Sequence, residues 1–223
     1  MSLSKAKHEW RKKEKHLYLP KATPELVEVP THQFLSLHGE GNPNGEPFAE
    51  CIRALYSLAY GIKMTAKKEE IQLAGHYDYT VYPLEGVWDI NDAAKASFTG
   101  TINKDDLVFD LMIRQPDFVN QAFFEQILEM VMKRSPSPLL EKVELKKITE
   151  GRCIQMLHVG SFDTEPRSFE EMEHFATEQG EQRLSKIHRE IYLSDFRRTA
   201  EDKLKTVLRF QLMDREFPNS HES

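Results

Sequence analysis

The chain has 223 residues, 39% hydrophobic and 30% charged, with a net charge of −6 and a sequence pI near 5.9. This is enough apolar content for one large domain or two small halves, and it excludes a collagen-like, extensively disordered or low-complexity chain. The mild acidity argues against duplex nucleic acid as a partner. Cys51 and Cys153 stand alone with no zinc-type spacing, and no apolar run reads as a signal peptide or membrane span, so a cytoplasmic location is expected.

In chain order, residues 1–20 form a basic, polar N-terminal arm whose anchors are Trp10 and Tyr18. Residues 26–38 alternate as a strand interrupted at Pro30, and the turn-rich Gly39–Gly45 follows as a loop. Phe48, Ile52, Leu55, Tyr56 and Ala59 make one apolar helical stripe, expected to stop near Gly61. Two strand-like runs come next, Tyr77–Trp88 and Leu107–Ile113, the second with Leu107, Phe109, Leu111 and Ile113 on one face. A helix over 117–133 precedes Ser135-Pro-Ser-Pro138, the natural break between halves. Beyond it, 142–159 reads as two strands turning at Gly151. Ser168-Phe-Glu-Glu171 is a capping box for a helix ending at Gly180. Ile187–Leu193 alternates as a strand, Thr199–Asp202 opens a short helix, and Thr206–Met213 closes as a strand.

Laid side by side, the halves repeat. Leu37-His38 precedes Glu46-Pro47 much as Leu157-His158 precedes Glu165-Pro166, and each pair leads into an amphipathic helix and two strands. The expectation is an α+β protein of two tandem β-α-β-β repeats, about 21–134 and 139–217, in one domain spanning 21–217 with a tail at 218–223. Helices would cover one face of antiparallel sheets and leave a ligand cleft against the other faces, between the repeats. In the strand 187–193, His188, Glu190 and Tyr192 share a side. If the Tyr77–Trp88 run is its equivalent, Glu85 and Trp88 join them, and a glutamate held among aromatic rings would be desolvated with its pKa raised.

Glu190-Ile-Tyr-Leu-Ser-Asp195 with Arg197-Arg-Thr-Ala-Glu-Asp-Lys-Leu-Lys205 resembles the GyrI-like small-molecule-binding family, in particular its stand-alone bacterial branch. Glu9-Trp10-Arg-Lys-Lys, Tyr56-Ser-Leu-Ala-Tyr60, Pro83-Leu-Glu-Gly86 with Trp88, Met112-Ile-Arg-Gln-Pro116, His158 and Glu165-Pro166 fit the same pattern. The resemblance implies the tandem-repeat sandwich shared with effector domains of multidrug-sensing regulators, and an aromatic cleft around a buried glutamate that falls on Glu190. Some stand-alone members are hydrolases that open the cyclopropane of DNA-alkylating antibiotics. Asp89 departs from the pattern, which has a second aromatic after the Trp88 position.

The expected catalytic set is therefore Glu190, Tyr192 and Glu85, with Glu190 ahead as base and Tyr192 as a hydrogen-bond partner to water or oxyanion. Ligand-binding candidates are Trp88, Tyr79, Phe109, His188, His158 and Tyr56. Tyr56 and Phe123 each lie on an apolar helix stripe, which core packing explains more simply. No metal or other cofactor is expected, since His38 and His158 lack a third ligand. The expected partner is a planar aromatic or cationic small molecule, with neither nucleic acid nor membrane involved. A non-catalytic drug-binding or sensing module is the alternative, or a gyrase-binding inhibitor, with gyrase or a homodimer mate as protein partner.

Overall fold

The computed structural model describes residues 7–68, 73–98 and 100–214. The first residues of the expected arm and the tail at 218–223 lie outside them. Two short helical turns, α1 (Trp10–Lys13) and α2 (Lys15–Tyr18), precede β1 (Glu25–Val29) and β2 (His32–Glu40). Then come the long helix α3 (Glu46–Ala66), β3 (Leu84–Ile90), a single-turn α4 (Asp92–Ala96), β4 (Leu107–Gln115) and α5 (Gln121–Arg134). The second half supplies β5 (Glu144–Ile148), β6 (Gly151–Val159), α6 (Glu165–Glu178), β7 (His188–Tyr192) and β8 (Lys205–Gln211). No described helix is long and apolar enough to cross a membrane.

All eight strands join one antiparallel sheet in the order β1-β6-β8-β7-β3-β4-β2-β5. The expectation of more than one sheet is corrected by the β3–β7 ladder, which fuses the halves at the centre. The halves are also interlocked at the rims: β1 pairs with β6 of the second half and β5 with β2 of the first. The repeat is thus a β-α-β-β unit preceded by a strand that completes the other unit's edge.

Strand alternation sorts the sheet into two faces. Leu35, Leu37, Leu84, Leu111 and Ile113 point to the helices and are fully or almost fully buried. α3 lays Phe48, Ile52, Leu55, Leu58 and Ile62 onto them, each buried side chain contributing about 1.5–3 kcal/mol. Gly61 does not end this helix. A Cβ there would stand 3.0 Å from Ile127 Cγ2 and 3.3 Å from Val131 Cγ2, so the glycine lets α5 pack closely against α3 and the helix continues to Ala66. α5 starts later than its apolar pattern suggests because the Asn120 side chain accepts from the Phe123 N–H and caps it. α6 covers the second half with Met172 and Ala176 against Ile154, Met156, Leu208 and Phe210.

The other face is closed by the N-terminal arm. Trp10 and Tyr18 are its anchors, as expected, and both are buried: the Trp10 indole donates to the Val81 carbonyl at 3.0 Å. Arg209 and Gln155, pointing away from the helices, donate to the carbonyls of Leu17 at 2.7 Å and His16 at 2.6 Å. Glu14 gathers Arg114, the Tyr82 hydroxyl at 2.8 Å and His8 at 2.6 Å, so Arg114 is committed to an ion pair with the arm.

Candidate functional site

The centre of the sheet is where β3 and β7 run side by side, with Gly86 opposite Glu190 and Trp88 opposite His188. Residues opposite each other share a face, so Trp88, His188, Glu190 and Tyr192 all project toward the helices. The Trp88 indole N–H donates to the Tyr192 hydroxyl at 2.8 Å, and that hydroxyl donates to Glu190 Oε2 at 2.7 Å. His188 Nε2 lies 3.2 Å from Glu190 Oε1. Gly86 makes this chain possible: a Cβ there would come within 2.8 Å of the indole nitrogen and 3.1 Å of the phenol oxygen.

Aromatic rings enclose the chain. Phe48 of α3 packs on Trp88 and edge-on against Phe109, with centroids 5.7 and 5.0 Å apart. Phe162 and Phe196 flank the Tyr192 ring at 6.0 and 5.9 Å, and Phe169 of α6 sits 4.7 Å from His188. Glu190 is 8% exposed in this setting.

The second carboxylate comes from α6, not from β3. Glu165 is the first residue of that helix and only 5% exposed. Burial raises its pKa well above the ordinary 4.5, and the charge of Glu190 together with a hydrogen bond between the two carboxyls raises it further. Its Oε1 has no hydrogen-bond partner among the described residues. Among the described residues no lysine or arginine forms an ion pair with either carboxyl. Burial and the neighbouring Glu190 also raise the Tyr192 phenol well above its ordinary value, although the Trp88 N–H opposes them. Glu165 is therefore the member of the pair that favours its protonated form, beside Glu190, which accepts from the Tyr192 hydroxyl.

His158 fixes how Glu165 is delivered. Its Nε2 meets the Ser161 carbonyl at 3.0 Å and its Nδ1 meets the Ser168 hydroxyl at 2.9 Å. That pins the loop leading into α6 and explains why Ser168 does not cap the helix: its hydroxyl is committed to His158, and the helix already starts at Glu165 with Pro166 in its first turn. The two Leu-His pairs differ in facing. Leu37 is buried and His38 exposed, whereas Leu157 is half-buried and His158 buried.

Two expected members are elsewhere. Glu85 stands opposite Ile191, one register from Gly86, and points to the arm side of the sheet, not into the cleft with Glu190. There it pairs with Arg189 at 2.6 Å, in a buried network in which Glu150 takes Arg189 and Arg209 at 2.9 Å each. Tyr79 packs among Tyr77, Tyr82 and Phe118, also away from Glu190. Trp88, His188, Glu190 and Tyr192 lie on the helix-bearing face of the sheet, whereas the expectation was that the cleft residues would face away from the helices. Tyr56, half-buried on α3 beside Tyr60, lines a groove on the outer side of Tyr192 rather than the carboxylate pocket. Among the described residues no cluster of histidine, cysteine and carboxylate side chains could hold a metal. Glu165 was within reach of sequence reasoning, since it heads its helix as Glu46 heads α3. What the pattern hides is that Glu46 is solvated and paired with Arg53 at 2.6 Å, while Glu165 is buried.

No curated protein sequence matches the chain. Among solved structures, a hydrolase from Listeria innocua is 35% identical over 93% of this chain and all of its own, with a TM-score of 0.83. An uncharacterized conserved protein from the same organism is 36% identical over the same shares, with a TM-score of 0.82. The profile of the GyrI-like small molecule binding domain matches residues 22–213, nearly the whole chain, and the protein therefore belongs to the GyrI-like family.

Proposed function

We propose that this protein is a hydrolase that adds water to the strained cyclopropane of planar, conjugated DNA-alkylating compounds. The observation that supports it is the pair Glu165–Glu190, two buried carboxyls set among aromatic rings with a phenol and an indole in line. The likeness to a hydrolase from Listeria innocua over the whole length, and the family resemblance carried by the 187–205 block, point the same way.

In this reading the flat ring system binds against Trp88 and the neighbouring phenylalanines, and water sits on Glu190. Glu190 accepts a proton from that water as its oxygen bonds to the electrophilic cyclopropane carbon. The C–C bond to the ring breaks, and its electron pair moves through the conjugated system to a distant carbonyl, which becomes a phenolate. The phenolate takes a proton, and the net change is the addition of one water. A positioned base of this kind contributes about 10²–10⁴-fold. Glu165, neutral beside it, keeps the pocket from holding two adjacent negative charges, and Tyr192 holds the Glu190 carboxylate in place.

The test is turnover of a cyclopropane-containing alkylator followed by mass spectrometry, with wild type beside Glu190→Gln. Gain of one water that collapses in the variant, with ligand binding retained, is the expected result. One observation favours a second reading: a buried carboxylate pair without lysine or arginine also suits a planar cation held without turnover. Tight binding of the alkylator or of a planar cation by wild type, with no hydration at all, would replace the first reading with that one.

A further inference from the structure

On the outer side of the Tyr192 ring runs a groove of about 1000 Å³, walled by α3, the end of α5, the approach to β3 and the 193–197 segment. Its apolar lining is open to solvent: Tyr60 is 53%, Met64 60% and Met130 44% exposed. Tyr56 and Tyr60 stack with centroids 6.1 Å apart and 29° between their planes, presenting a flat aromatic step. Monomeric proteins seldom leave so many large apolar side chains together at the surface without a ligand for them.

The charge in the groove runs against the charge of the protein. Among the described residues Arg11, Arg53, Lys68, Arg134 and Arg197 line it, with Asp195 as the one acid beside them, in a chain of net charge −6. Most of these charges are engaged. Asp195 is taken by Arg197 at 2.9 Å, Arg53 by Glu46 at 2.6 Å, and Arg11 lies over Trp10 while donating to the Leu193 carbonyl. Arg134 and Lys68 form no ion pair among the described residues. They stand at the C-terminal ends of α5 and α3, where compensation of the helix dipole is the plain explanation for a cation. That explanation accounts for neither the exposed aromatic step beside them nor the cavity.

We infer that this groove is a second ligand site, for a planar organic anion whose rings lie on Tyr56 and Tyr60 and whose acidic group is met by Arg134 and Lys68. Its charge preference is the reverse of that of the Glu165–Glu190 pocket, and the Tyr192 ring lines its inner end. The inference stands apart from the proposed hydrolysis, because it uses none of the carboxylate pair.

The test uses the full chain and 8-anilino-1-naphthalenesulfonate as probe, titrated by fluorescence, with tetraphenylphosphonium as a planar-ring cation competitor. Saturable binding is expected that weakens at least about tenfold in the double variant Arg134→Glu, Lys68→Glu and several-fold in Tyr60→Ala. Raised salt should weaken it, while tetraphenylphosphonium and Glu190→Gln should leave it unchanged. Thermal unfolding of each variant separates loss of the site from loss of the fold, and for exposed positions little change is expected. Affinity indifferent to the double charge reversal in a folded variant would overturn the inference. So would binding that follows Glu190→Gln or is displaced by the cation, since either puts the dye in the carboxylate pocket. Loss of alkylator hydration with this binding intact would count against the hydrolase reading alone.

Discussion

The same two strands carry carboxylates on both faces of the sheet, and the two faces treat them in opposite ways. On the arm side Glu85 and Glu150 are buried with Arg189 and Arg209, two acids against two guanidinium groups, and Gln155 takes the spare donors of Arg209 at 2.8 and 3.2 Å. On the helix side Glu165 and Glu190 are buried with each other, a phenol, an indole and an imidazole, and no arginine or lysine ion pair among the described residues. Buried charge that is matched holds structure together. Buried charge left unmatched survives only by keeping a proton, and that leaves chemistry available. Gly86 opposite Glu190 and Glu85 opposite Ile191 are consecutive registers of one ladder, so a single residue step separates the two regimes.

The sharpest way to break the contrast is to unbalance the matched side. Arg189→Met leaves Glu85 and Glu150 without one of their two cations. A loss of about 3–5 kcal/mol in denaturant unfolding is expected, against little change for Glu190→Gln. If Arg189→Met is tolerated with under about 1 kcal/mol lost, the network is not what holds the centre of the sheet.

On the unmatched side, Glu165→Gln removes the repulsion and keeps the shape. The variant should be at least as stable as wild type, and the difference should depend on pH. Because the folded-state pKa of Glu165 is raised, the folded chain binds a proton that the unfolded chain releases. Wild-type stability therefore falls as pH rises from about 4.5 to the raised value, and is flat beyond it. Glu165→Gln should remove that part of the slope. Unfolding measured across this range in both proteins decides the matter, and identical slopes would mean that Glu165 does not hold the proton.

A gentler probe is the geometry between the two. Gly86→Ala drives a methyl to 2.8 Å from the indole nitrogen, so the Trp88–Tyr192–Glu190 chain must open, at a cost of about 1–3 kcal/mol in stability. Hydration should fall with it, and alkylator turnover at full rate would show that the chain is not required. The smallest effect is expected from Tyr192→Phe, which removes one hydrogen bond to Glu190, about 0.5–1.5 kcal/mol. Turnover should fall with it, because the Glu190 carboxyl loses the phenol that holds it in place. Alkylator turnover at the wild-type rate would assign Tyr192 to packing alone.

The order and kind of the elements were legible in the sequence because they rest on local rules. Alternation identified β7 and put His188, Glu190 and Tyr192 on one side, and the apolar stripes identified α3 and α5. The resemblance pointed at Glu190, and the helix-heading Glu165-Pro166 was visible as a repeat feature. The assignment of Glu85 could have been refused on the same local rule: it lies three residues from Trp88, and an odd spacing in a regular strand puts two side chains on opposite faces. Other features had no local signal. The registry of β3 on β7, the exchange of β1 and β5 between halves, and the face on which each Leu-His pair lands are set by packing between distant segments. So is the fate of the acids. Glu46 and Glu165 begin their helices in the same way, yet only the close approach of α6 to the centre of the sheet excludes water from one of them. Sequence by itself determined which groups could carry chemistry here; the tertiary structure decided which of them were buried without a cation, because desolvation and register are properties of the assembled sheet and not of any one segment.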